Sequence, residues 1–241
     1  MGIYINQIHS FFESWAPSEL AANWDNIGLQ IGDPNAKIDE IIIALEVDEH
    51  VLSALKSKKN CLVITHHPLF FKPLSNIRYD HDMGEIIQAF SIGSHHLFSA
   101  HTNLDAAVGG VNDCFIKLYG LDPKKGTCID AGFGKHFDSP AISVNDLLQK
   151  IPGKSIGANR TDAIKRLGFC AGSGHGLMKQ VLELNIDTFV TGEVNYHDEV
   201  FARMNNIRLI VVGHKESEDC IKDEIKLRLK NQNLAIPIKI I

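Results

Sequence analysis

Residues 61–71 read CLVITHHPLFF, an apolar run that ends in Thr65, His66 and His67 and is closed by Pro68. Imidazole titrates near neutrality and is a common ligand of zinc, manganese, iron or nickel, so two adjacent histidines carry either proton transfer or metal chemistry. Successive side chains on a strand point to opposite faces. The pair therefore serves one centre only where the strand has ended and the backbone turns. Pro68 supplies that stop, because it holds His67 in extended geometry and has no N–H for the ladder. At such an end the two imidazoles can ligate two adjacent metals, one each. They can equally be hydrogen-bonded structural histidines, since burial and local bonding account for most histidines.

Further candidates sit at other element ends. The segments IDEIIIALEVD (38–48), CLVITHH and HHLFSAHTNLD (95–105) read as strands, separated by helical patterns in EHVLSALKSKKN and DMGEIIQAFSIG (82–93). The second half repeats the plan, with strands RLGFCAGSG (166–174), DTFVTGE (187–193) and RLIVVGHKESE (208–218) around helices HGLMKQVLELN and NYHDEVFARMNN. Ile43 to Ile64 spans 21 positions, and so does Phe169 to Val190. In each half the third strand ends in a histidine with an acid four residues on, His101 with Asp105 and His214 with Glu218. If a helix starts after Gly213, His214 and Glu218 face the same way.

The expected fold is α/β: two pseudo-related αβ halves with mixed, mostly parallel sheets flanked by helices. Strand C-termini of two facing halves would meet in one crevice, where open parallel sheets carry ligands. The expected domains are 1–125, with 214–241 returning to it, and 126–213. The Gly-, Pro- and Lys-rich stretch 120–140 reads as the boundary, and Pro237 marks NQNLAIPIKII (231–241) as an edge strand. His66, His67, Asp105, His214 and Glu218 form the candidate metal set, and water must fill the remaining positions.

Composition bounds the partners. A net charge of −5 over 241 residues, 44% of them hydrophobic and 22% charged, is that of a globular chain with no basic face for nucleic acid or membrane. The five scattered cysteines include no C-x-x-C pair, so they read as reduced thiols. The opening MGIYINQIHSFFESW has neither a basic n-region nor a long apolar core, and the expected location is the cytoplasm.

NWDNIGLQIGD (23–33), ITHHPLFF (64–71), SAHTNLDAAVGGVND (99–113), DTFVTGEVNYHD (187–198) and VVGHKESE (211–218) together resemble, in order, the signature blocks of the NGG-interacting factor three-like family, the GTP cyclohydrolase I type 2 homologs. The resemblance implies a toroidal homohexamer of two-domain αβ subunits with a dinuclear metal site in the cleft between the halves. His67 and Asp105 would hold one divalent ion (Zn, Mn or Fe), His66 and His214 the other, and Glu218 would bridge. It looks like the short form, without the inserted middle domain. The reaction implied is conversion of GTP to 7,8-dihydroneopterin triphosphate and formate by a water that the metal pair activates. The same ligands would serve phosphoester or amide hydrolysis, or a non-enzymatic metal-binding or interaction module.

Other residues come from the pattern itself. Glu193 stands two residues after Thr191, as His67 stands after Thr65, and reads either as a general base or holder of a water, or as a surface carboxylate. His101 and His197 read as proton donors or ligand orienters, or as satisfied polar residues. NWDNIGLQIG lacks the dinucleotide glycine spacing and reads as a turn that places Trp24, Asp25 and Asn26 near the cleft or a subunit contact. AGSGHG (171–176) reads as a phosphate cradle or as close helix–strand packing. Lys72, Arg78, Arg160 and Lys215 are the candidate triphosphate cations.

Overall fold

The structure is a computed structural model that describes residues 3–157 and 163–241; Arg160 lies outside the described residues. The chain divides into two compact units, Met1–Ala107 with Lys222–Ile241, and Val108–Ile221. In chain order the first contains β1 (Ile3–Tyr4), α1 (Ile5–Trp15), β2 (Gly28–Ile31), β3 (Lys37–Ile38), β4 (Glu40–Ala44), α2 (Glu49–Leu55), β5 (Cys61–Thr65), α3 (Asp82–Gly93), β6 (His96–Ser99) and α4 (Thr102–Ala106). The second contains α5 (Val111–Leu118), β7 (Thr127–Ile129), β8 (Gly134–Asp138), α6 (Val144–Lys150), β9 (Lys154–Ile156), β10 (Arg166–Ser173), α7 (Met178–Glu183), β11 (Thr188–Glu193), α8 (Tyr196–Met204), β12 (Arg208–Val211) and α9 (His214–Glu218). The chain then runs through α10 (Cys220–Lys230) to β13 (Ile238–Ile240).

In the first unit, EIIIA and CLVIT are buried along their whole length, as β-branched runs covered on both faces must be. They form the centre of a sheet ordered β13-β4-β5-β6-β2, parallel except for β2. Ile42, Val63 and Leu97 meet Val51 and Leu55 of α2 and Phe90 of α3 in one core cluster. Phe98 stacks on Phe12 of α1 with ring centroids 5.0 Å apart. Four residues past β4, Asp48 caps α2 by accepting the Val51 N–H at 2.9 Å, which starts the helix. At the far edge the Pro237 carbonyl accepts the Ile41 N–H at 2.9 Å, and the missing proline donor costs nothing there.

The second unit repeats the parallel centre in β10-β11-β12 and adds antiparallel neighbours, in the order β7-β8-β10-β11-β12-β9. Ile43 pairs directly with Ile64, and Phe169 with Val190, so the equal spacing in the sequence is a shared ladder register. Phe189, Leu209, Val181 and Ala202 lie in this unit's core cluster.

Three expectations differ from the structure. The first unit closes before residue 125, because α5 belongs to the second: Phe115 meets Phe169 edge-on at 5.9 Å and Asn112 accepts the Ala171 N–H at 2.9 Å. The stretch 120–140 is not the boundary, since it lies within the second unit and supplies the β7–β8 hairpin, turned through Asp130, Ala131 and Gly132 at positive φ. Asp105 is not at a strand end: β6 stops at Ser99, and Asp105 lies in the single turn of α4.

Candidate metal centre

In the first unit β5 ends at Thr65. The Thr65 hydroxyl donates to the His67 carbonyl at 2.8 Å and lies 2.8 Å from the Ser99 hydroxyl of β6. This fixes the turn that lets both histidines face one place, with ring centroids 5.1 Å apart. His66 is fully buried, and its Nδ1 donates to the Ala100 carbonyl at 2.9 Å. In the neutral ring the lone pair is then on Nε2, which lies 3.6 Å from Asp105 Oδ1. His67 Nδ1 donates to Glu46 at 2.9 Å, and His101 Nδ1 to Asp25 at 2.9 Å. All three rings are thus held through Nδ1, the arrangement that orients metal-ligating histidines. One ring nitrogen from each of His66, His67 and His101 falls within 4.8 Å of the others.

Asp25 organises this end. One oxygen takes His101, and the other takes the N–H of Thr102 at 3.0 Å together with the Thr102 hydroxyl. Burial of its side chain opposes ionisation. The hydrogen bonds from His101 and Thr102 outweigh burial and hold the carboxyl down at about 2. Trp24 and Phe71 pack their rings toward His101, with centroids 6.0 and 5.5 Å from it.

The second unit carries His214, Glu218 and Glu193. Gly213, at φ +109, breaks β12 and starts α9, so the conditional helix of the sequence is present. His214 Nε2 lies 3.2 Å from buried Glu218 Oε1, and its Nδ1 lies 3.4 Å from Glu193 Oε1. The hydrogen bond to Glu218, opposed by partial burial and reinforced by the charges of Glu218 and Glu193, raises the imidazole to about 9. Backbone makes room for this turn. A Cβ on Gly172, at φ +61, would sit 2.1 Å from Glu218 Oε1; one on Gly192 would sit 2.4 Å from the Gly172 carbonyl and 2.6 Å from Ser217 Oγ. Ser217 is buried, accepts the Gly172 N–H at 2.8 Å and donates to the His214 carbonyl at 2.7 Å. AGSGHG is therefore accounted for by close packing.

The two halves do not repeat their donors in register. Ile64 pairs with Phe98, and Val190 with Ile210. Counting on from Phe98 and Ile210 puts His101 opposite Gly213, Asp105 opposite Ser217 and Glu218 opposite Ala106. The histidine–acid pairs come from positions one residue apart. Glu193 does occupy the place of His67, two residues past the matched threonines. His197 lies exposed on α8, its ring 5.7 Å from Tyr196, and is not among the gathered donors. Arg78 is engaged by Asp80 through Nε at 3.0 Å and Nη2 at 2.5 Å. Lys215 opens α9 beside His214. Glu46 and Ser217 were invisible to sequence reasoning: a glutamate just past a strand and a serine in a polar helical turn carry no distinctive pattern.

The residues fit divalent transition metals. Imidazoles pre-oriented through Nδ1, with carboxylates beside them, are the donor chemistry of such sites. Among the described residues, no helix is long and apolar enough to cross a membrane, and none of the five cysteines forms a disulfide.

The GTP cyclohydrolase 1 type 2 homolog of Campylobacter jejuni is 30% identical over 240 residues, covering 98% of this chain and 96% of that protein. The protein named GTP cyclohydrolase 1 type 2 from Helicobacter pylori is 30% identical over 223 residues, 89% of this chain and 86% of that one. Among solved structures, reduced HcgD from Methanocaldococcus jannaschii superposes with a TM-score of 0.87 at 26% identity, covering 100% of this chain and 98% of that one. The Bacillus cereus protein related to NIF3 superposes with a TM-score of 0.80 at 20% identity, over 100% and 97% of the two chains. The profile of Duf34/NIF3 (NGG1p interacting factor 3) matches residues 3–241, and the chain belongs to that family.

Proposed function

We propose that the protein is a metal-dependent hydrolase of the GTP cyclohydrolase type, which converts GTP to 7,8-dihydroneopterin triphosphate and formate. The observation that carries the reading is the convergence of His66, His67 and His101, each held through Nδ1. The names of relatives at about this identity support the substrate. In this reading His66, His67, Asp105, His214 and Glu218 would be the ligands of two divalent ions. Bound ions supply Lewis acidity and bring the ionisation of water toward neutral pH.

The chain's own groups do the remaining work. Glu46 and the Ala100 carbonyl fix the tautomers of His67 and His66. His101, oriented by Asp25, would pass a proton to the purine nitrogen when its bond to C8 breaks and C8 leaves as formate. Protonated His214 must release its proton to become a ligand, and Glu193 is placed to take it. The reading includes a cytoplasmic homohexamer, which the mass of the particle in solution checks.

The test is GTP incubated with protein loaded in turn with zinc, manganese or iron, followed by formate release and pterin fluorescence. Both products are expected in step, abolished by chelator and reduced at least about a hundredfold in Glu218→Ala. Survival of GTP under every metal would end this reading and favour another phosphoester or amide substrate, or a metal-binding interaction module. Full turnover in a folded Glu218→Ala would remove the bridging role alone.

A further inference from the structure

We propose that Trp24 and Phe71 form a stacking platform that receives the heteroaromatic ring of a purine nucleotide, with Lys72 facing its phosphates; this rests on the nucleotide reading above. The two rings are near-parallel, 19° apart in plane with centroids separated by 6.4 Å. They are also 64% and 51% exposed, a large aromatic area left in water on the first unit. Both approach His101 edge-on, and the His101 ring lies 5.1 Å from His66 and 5.8 Å from His67. A continuous series of rings thus runs from the platform to the histidine cluster.

The platform is held in place. Asn26 donates its side-chain amide to the Phe70 carbonyl at 2.6 Å, and Gln30 accepts the Phe70 N–H at 3.0 Å. These bonds tie the turn that carries Trp24 to the loop that carries Phe71. Beside Phe71 lies a cavity of about 440 Å³ lined by Asn26, Phe70, Phe71, Lys72, Pro73 and Leu74, within the size range of small-molecule sites. Its lining is mostly apolar with a single cation, Lys72, at its edge, which matches a planar ring attached to an anionic group. Arg78 is spoken for by Asp80, so the first unit offers Lys72 for that role. A base gains by stacking on aromatic rings whatever its hydrogen-bonding pattern, so the platform supplies affinity and position, while the choice of guanine comes from elsewhere.

Trp15 and Trp24 are the only tryptophans, so the full-length Trp15→Phe variant reports on Trp24 alone. GTP is titrated into this protein in chelator, so that no turnover competes, with tripolyphosphate as the ring-free control. GTP should quench Trp24 emission saturably and tripolyphosphate should not. Adding Phe71→Ala should weaken the GTP midpoint about tenfold, without moving the melting temperature or the elution volume. Absence of quenching by GTP, or an unchanged midpoint in Phe71→Ala, overturns the platform. So does a fall in particle mass in Phe71→Ala or Trp24→Ala, because a second copy of the chain then covers these rings. Quenching without formate release under any metal keeps the platform and removes the reaction. Formate release with an unchanged KM in Phe71→Ala keeps the reaction and removes the platform.

Discussion

Asp25 has its side chain fully out of water and stays ionised, because His101 and Thr102 donate to it from two sides. Its folded-state value of about 2 lies below the ordinary 3.8. The stabilisation is therefore complete above about pH 4 and is lost as pH falls through about 2, and it amounts to about 2 kcal/mol. Asp25→Asn should lower urea stability at neutral pH by about that amount, and the gap to the parent should narrow in acid. A gap independent of pH would mean that shape rather than charge matters at this position. The five expected ligand positions drew attention in the sequence as histidines and acids just past buried strands, although Asp105 and Glu218 prove to lie in the short helices that follow them. Asp25 was visible only as part of a turn, since what it does depends on His101 and Thr102, which are distant in the chain and brought to it by the fold.

At the level of elements, the two strand-to-helix turns after β6 and β12 follow one plan with different contents. Residue spacing exposed the shared ladder, because buried β-branched runs announce themselves. It did not expose the point where β6 becomes α4, since that break depends on Thr102 donating to an aspartate 77 positions away. Nor did it show the slip of one position between the histidine–acid pairs, which appears only once the strands are paired. The turn in the second unit is the tighter one. Gly192→Ala would push a methyl group against the Gly172 carbonyl and Ser217, with an expected cost of about 1–3 kcal/mol. Because α9 must then move, metal bound per chain, measured by elemental analysis after gel filtration, should fall together with the melting temperature. A loss of stability with metal content unchanged would show that α9 is not what positions the donors.

Across the whole molecule, several histidines serve the fold rather than the site. His95, His96 and His136 are buried, and burial lowers all three below 6.5. His95 Nδ1 accepts the Cys61 N–H at 3.3 Å, which only the neutral ring can do. Folded-state values below the unfolded 6.5 mean that this contribution is whole above about pH 6.5 and declines as pH falls below it. The urea midpoint of the metal-free protein should drop between pH 7 and 5, and the drop should shrink in His95→Gln. A flat profile over that range would show that these rings are solvated before unfolding. Composition signalled a globular chain, and the order of strands and helices signalled its class. The unit boundaries were less legible, because the helix at 111–118 looks the same in sequence whichever sheet it covers.

The strand β13 lies beside β4, although nearly the whole chain separates them in sequence. On the ribosome, every strand of the second unit's sheet emerges before β13 has been made, so that sheet can close while translation continues. The outer edge of β4 has no such option. Its Ile41 and Ile43 must wait for Pro237 and Ile241 before their backbone groups are paired, and for that interval a flat apolar edge is open to other nascent chains. The nascent protein thus passes through a stage in which half of it is finished and the other half needs protection, and chaperone demand should peak there rather than at the start of synthesis.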